Sequence, residues 1–248
     1  KSPDKTAVYD PDTNFIILTN HFQSHELRND PLNVENMANE TSVYRYERVS
    51  ELLAGRDSLR YMEMADILRD RKGKYASNIG LGNEKAINQL IAHHSVIFQP
   101  EEKKLWISTG RFQQGDYLCY DLDSIFASKA AARHTSPFNL EEYSIPADAL
   151  FGLDSLLKYD LYKEMAASVQ RAIKEKDTLA GENMFAHALI DLNPEFHHTY
   201  SLLGQYYMML GNADLAGKYF TLALSKEVSS ATERKKIKEM LLECQSEN

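Results

Sequence analysis

The sequence predicts an α+β fold followed by an all-helical part, and three observations carry that expectation. Runs of strand character lie near the start and between residues 95 and 122, helical patterns separate them, and from about Leu153 to the end the pattern is helical throughout. With ~100–200 residues to a domain, 248 residues suit two, expected at 1–150 and 151–248.

The opening reads as a β-hairpin: Ala7-Val8-Tyr9, a turn through Asp10-Pro11-Asp12-Thr13-Asn14, then a strand from Phe15 to Phe22. Phe15 and Ile17 point one way, Ile16 and Leu18 the other, so this strand belongs in a sheet covered on both faces. Three helices are expected next. Thr41 or Ser42 caps one carrying Val43, Tyr46, Val49 and Leu52, ended by Gly55; Asp57 caps another carrying Tyr61, Met64, Ala65 and Leu68. After Gly80-Leu81-Gly82-Asn83, a third presents Ala86, Ile87, Leu90 and Ile91. The runs Ser95–Phe98, Leu105–Ser108 and Tyr117–Leu122 then predict a three-stranded antiparallel meander. Residues 127–150, with Pro137 and Pro146 and no sustained period, read as an irregular connection.

In the tail, Tyr200, Leu203, Gly204, Tyr207, Gly211, Ala216, Phe220 and Ala223 fall at the spacing of a tetratricopeptide repeat, which the tail resembles. Small Gly204, Ala216 and Ala223 permit close helix packing, while the aromatic residues fill the space between helices. Leu189–Pro194 reads as the close of a more degenerate preceding repeat, and Ala231–Cys244 as a final helix. Such a tail offers a possible protein-docking surface, although Tyr206, Tyr207, Met208 and Met209 at helical spacing read as core.

A hydrophobic fraction of 43% and a charged fraction of 26% are those of an ordinary globular chain. The net charge of −8 gives no general attraction to nucleic acid or anionic lipid, and no apolar run approaches the ~20 residues of a membrane span. Cys119 and Cys244 fall in different expected domains, which argues against a disulfide, and the compartment stays open. Cys119 in mid-strand reads as an inert apolar side chain rather than a nucleophile paired with His93 or His94. The adjacent pairs His93-His94 and His197-His198 read as surface or capping residues; no spacing completes a metal site, and no cofactor is indicated.

Thr19-Asn20-His21-Phe22, closing an apolar strand, is the polar cluster with the most chemical content. A buried amide needs partners, so Asn20 either caps backbone groups or donates its N–H to a developing oxyanion. The ordered series of Thr19-Asn20-His21-Phe22, Ser42-Val43-Tyr44-Arg45-Tyr46-Glu47-Arg48, Ile67-Leu68-Arg69-Asp70, Gly82-Asn83 and His94-Ser95-Val96-Ile97-Phe98 before Trp106 resembles the isopenicillin N acyltransferase-like family over residues 7–126. That family is related to choloylglycine hydrolases and acid ceramidases, all N-terminal-nucleophile (Ntn) hydrolases. The resemblance implies a partial αββα sandwich. It also implies a penicillin acylase-like chemistry in which a Cys, exposed by autoproteolysis, attacks an amide with its own α-amine as base.

Carried onto this chain, the resemblance implies Asn20 in the oxyanion hole and His21, Arg45 and His94 near a small-molecule amide substrate. Arg45 and Arg48 could steer a carboxylate or orient the nucleophile, while an exposed helix face is expected for at least one of them. Residue 1 is Lys, so the nucleophile is expected on polypeptide outside this chain, whose partner segment covers a sheet edge or apolar face left bare here. The chain by itself is then inactive. The alternative is a noncatalytic interaction protein acting through its helical tail.

Overall fold

A computed structural model of the chain describes residues 6–10, 14–127, 139–149 and 152–246. Four strands, β1 (Val96–Gln99), β2 (Lys104–Ser108), β3 (Tyr117–Asp121) and β4 (Asn139–Ile145), form an antiparallel sheet in that order. The expected meander is its first three strands. The fourth corrects the reading of 127–150 as irregular throughout; its first part, 128–138, lies outside the described residues. One face is a cross-strand row in which Ile97 opposes Trp106 and Trp106 opposes Cys119, all three buried. Helix α3 (Tyr61–Leu68) covers this row: Tyr61 stacks on Trp106 with ring centroids 4.6 Å apart, and Ala65 is fully buried beside it. The indole N–H donates to the Tyr143 carbonyl (2.8 Å), so the largest core side chain leaves no polar atom unpaired.

Before the sheet come α1 (Pro31–Asn39), α2 (Ser42–Leu53) and then α3. Helix α1 was not anticipated, although Asp30-Pro31 is a start signal: the Asp30 carboxylate accepts from Leu32 N–H (3.0 Å) and Pro31 takes the first helical position. The expected Asp57 cap of α3 is corrected to Arg60, whose N–H donates to the Glu63 carboxylate (2.9 Å).

Two further expectations fail for physical reasons. Neither 6–10 nor 14–22 is a strand; a strand is defined by a hydrogen-bonded neighbour, and among the described residues no backbone-to-backbone hydrogen bond joins either run to another segment. The alternation survives, since Ile16 and Leu18 are exposed (60% and 74%) while Phe15 and Ile17 are half-buried. The expected third helix over Ala86–Ile91 is a series of turns, because the Asn83 and Asn88 side chains accept from Lys85 and Leu90 N–H (3.0 Å each) and take amides that a helix needs. Leu90 sits at φ +56° as a result.

A short helix α4 (Leu122–Ala127) follows β3, and α5 (Leu153–Glu175), α6 (Glu182–Leu192), α7 (His197–Met209), α8 (Ala213–Ser225) and α9 (Ala231–Ser246) make up the tail. Their core is centred on Leu203, Tyr206, Tyr207, Phe220 and Val169, so the tyrosines at 206 and 207 are packing residues. A Cβ on Gly204 would stand 2.6 Å from the Phe220 ring, the close helix approach that a glycine permits. No helix among the described residues is long and apolar enough to cross a membrane.

The two parts of the chain share this core. Leu90 is buried in it, with Leu81 and Phe112 packed against it. Leu81 and Asn193 exchange a reciprocal pair of hydrogen bonds, N–H to Oδ1 (3.0 Å) and Nδ2 to carbonyl (2.9 Å). Gly80, at φ +82°, lets the backbone of Phe196 approach where any Cβ would stand 2.5 Å from it. Arg111 grips Asp160 of α5 with two bonds of 2.7 and 2.8 Å.

Candidate active site

Residues 15–20 line one cleft with Val49 and Leu53 of α2 and Met64 of α3, and Thr19 and Asn20 meet the first turn of α2. Thr41 and Ser42 stand where capping was expected, but neither side chain caps the helix. The Thr41 hydroxyl accepts from Arg45 Nη1 (2.8 Å), and the Ser42 hydroxyl, fully buried, donates to Thr19 Oγ1 (3.1 Å) and lies 2.9 Å from His21 Nδ1. His21 Nδ1 also lies 3.0 Å from Thr19 Oγ1, so the Ser42 and Thr19 hydroxyls and the imidazole close a three-membered hydrogen-bonded cluster. The edge of His21 also meets Tyr46, ring centroids 5.8 Å apart.

Arg45 is the centre of the arrangement. Nη1 donates to Thr41 and to the Glu84 carbonyl (3.1 Å), and Nη2 donates to Asn20 Oδ1 at 2.6 Å. Because a guanidinium can only donate, it fixes which end of the Asn20 carboxamide is oxygen. The Nδ2 end is therefore turned away from Arg45, and among the described residues it meets no acceptor. Asn20 is itself exposed, yet it borders a cleft of about 340 Å³ whose walls include Phe15, Ile17, Val49, Leu53, Met64 and Ile87. A fixed, outward-facing amide donor at the lip of an apolar cleft is a competent place for a developing negative charge. His21 and Leu18 form part of a second cleft of about 660 Å³ on the other side, with Phe22 and Leu27.

The remaining candidates fall elsewhere. His94 is exposed in the turn before β1 and lines neither cleft. Arg48 is buried, its Nε and Nη2 paired with the two oxygens of Asp70 (2.8 and 3.1 Å) and its Nη1 with Glu51 (3.1 Å), which corrects the idea of an exposed or substrate-steering arginine. Cys119 is buried in the sheet beside Trp106, and burial pushes its thiol pKa up, away from thiolate character. Cys244 is buried in α9. His197 corrects the surface reading of its pair: it is 1% exposed, with Nε2 3.0 Å from the Glu233 carboxylate. No group of three or more metal-ligating side chains forms among the described residues. What sequence reasoning missed is the supporting shell of Thr41, Ser42, Thr19 and Glu84. Its legible traces were Thr19 within the polar cluster and the Thr-Ser pair at a helix start.

Burial lowers the His21 pKa below the ordinary 6.5. The folded state then gives up this proton at lower pH than the unfolded chain does, so the stabilisation is full above the unfolded value and fades as pH falls through the folded one. Denaturant titrations between pH 7 and 5 should show a steeper loss of stability in the native protein than in His21→Asn. Equal slopes would remove His21 from the set of pH-sensitive groups.

The described residues form an α+β fold with the Asn20 amide bordering an apolar cleft. Residues 1–114 match the sequence family described as acyl-coenzyme A:6-aminopenicillanic acid acyl-transferase. The match supports the Ntn acyltransferase resemblance over the first part of the chain and stops before α4 and the helical tail. No curated protein and no solved structure matches the chain.

Proposed function

We propose that residues 1–150 supply the oxyanion donor and acyl cleft of an Ntn-type amidohydrolase or acyltransferase acting on an amide C–N bond. The observation that carries this reading is the Asn20 carboxamide, oriented by Arg45 at the mouth of an apolar cleft. The nucleophile is a cysteine on polypeptide outside these residues, since both cysteines here are buried away from Asn20 in the sheet and in α9. Its thiolate attacks the substrate carbonyl carbon, the C=O π pair moves onto oxygen, and that oxyanion accepts from Asn20 Nδ2. Collapse re-forms the carbonyl and expels the amine, which takes a proton from the conjugate acid of the nucleophile's base. Water or a second amine, losing a proton to the same base, then attacks the thioester carbonyl; the C–S bond breaks, the acyl group leaves on the acceptor and the Cys thiolate is released. The acyl group lies among Phe15, Ile17 and Met64, which selects an apolar chain; no role is assigned to His94. Exposed Ile16 and Leu18 pack under the partner segment, which adds its strand beside 14–20.

The test is to incubate the natural polypeptide containing these residues with p-nitroanilides of straight-chain acids, C2 to C12. Release of p-nitroaniline and an acyl mass on an upstream cysteine are expected; neither, at any chain length, would sink the reading.

A second reading takes the tail as a tetratricopeptide-like docking domain over 151–248. It is favoured by a cleft of about 510 Å³ between α5, α7 and α9, where Gln170, Gln205, Glu233 and Lys236 stand beside Ile173 and Met240. Amides and charges beside apolar side chains suit a mixed peptide segment.

A further inference from the structure

We propose that Asn83 is a positioning residue for Asn20, through which the helical tail holds the candidate site in shape; this rests on the reading of Asn20 as the oxyanion donor. Asn83 is fully buried and uses its whole hydrogen-bonding capacity. Nδ2 donates to the carbonyls of Ile79 (3.0 Å) and Glu227 (2.9 Å), while Oδ1 accepts from Lys85 N–H (3.0 Å) and the Ser229 hydroxyl (3.3 Å). Two of these partners belong to the turns at 79–85 and two to the connection between α8 and α9, so one carboxamide locks the tail to the turns.

The residue so bracketed is Glu84. Asn83 fixes the peptide on one side of it and, by holding Lys85 N–H, the peptide on the other. The Glu84 carbonyl accepts from Arg45 Nη1 at 3.1 Å, and the same guanidinium orients Asn20 through Nη2 at 2.6 Å. Ile87, three residues on, lines the cleft that Asn20 borders. The path is therefore continuous: Glu227 and Ser229, Asn83, the Glu84 carbonyl, Arg45, Asn20. Removing the Asn83 side chain orphans buried donors and acceptors on both sides of the junction, and the turn carrying Glu84 loses its seat.

The readout is side-chain NMR on the full chain: hindered rotation about the Arg45 Cζ–Nη bonds and the Asn20 carboxamide signals. In Asn83→Ala, Arg45 rotation should quicken by about tenfold or more and the Asn20 signals should collapse toward those of a free amide. Arg111→Ala also weakens the contact between tail and first part, at Asp160 and away from Arg45, and should leave both signals in place. Unchanged Arg45 and Asn20 signals in folded Asn83→Ala, or equal changes in both variants, would overturn the proposal. Should Asn83→Ala not fold, native-state hydrogen exchange on the unaltered chain decides. Arg45 Nη protons and the Leu81, Lys85 and Ala86 amides are expected to open together, and an independent Arg45 opening refutes the coupling. None of these measurements uses turnover. A chain with intact coupling whose Asn20→Ala variant stays fully active would refute the oxyanion reading and leave the coupling standing.

Discussion

Replacing Asn20 by Ala is expected to lower kcat about 10²–10³-fold in the complete polypeptide, with KM changed far less. A donor aimed at charge that exists only in the transition state contributes there and not to ground-state binding. The support for this assignment is directional: Arg45 Nη2 claims the amide oxygen at 2.6 Å, so the nitrogen end is the one on offer. Asn20→Asp should be worse than Ala, since a carboxylate paired to Arg45 presents a second oxygen where the oxyanion forms. A loss confined to KM, or less than about threefold in kcat, would remove Asn20 from the chemistry.

The second large effect concerns stability. Truncating Arg48 to Ala should cost up to about 3–5 kcal/mol, because it leaves the Asp70 carboxylate, whose side chain is 12% exposed, without its bidentate partner. Urea titration of the single variant against Arg48→Met/Asp70→Leu separates pair energy from the penalty of an orphaned charge. The double variant fills the space with apolar groups and should recover most of the loss. A single-variant cost below about 1 kcal/mol would mean that water reaches Asp70 and that the pair behaves as a surface one.

The elements that could be read from sequence are those whose side chains report their own environment. Alternation gave β1 to β3, and helical periodicity gave α2, α3 and the tail helices. Reading failed where polar side chains redirect the backbone or one another. Asn83 and Asn88 turned an apparent helix into turns, and Thr41 and Ser42, with good capping chemistry, were drawn instead to Arg45 and His21. At the site, Asn20 and Arg45 were legible as candidates, but their contact was not. Nothing in a separation of 25 positions says that a guanidinium will reach one particular amide oxygen.

Gly80 and Leu90 carry a consequence for evolution by recombination. The backbone of Phe196 occupies the space a side chain at position 80 would need, and Leu90 fills a hole among tail helices. A chimera that grafts this first half onto a foreign helical array, or this array onto another first half, would therefore inherit a steric collision on one piece and a vacancy on the other. The halves can diverge only as a matched pair.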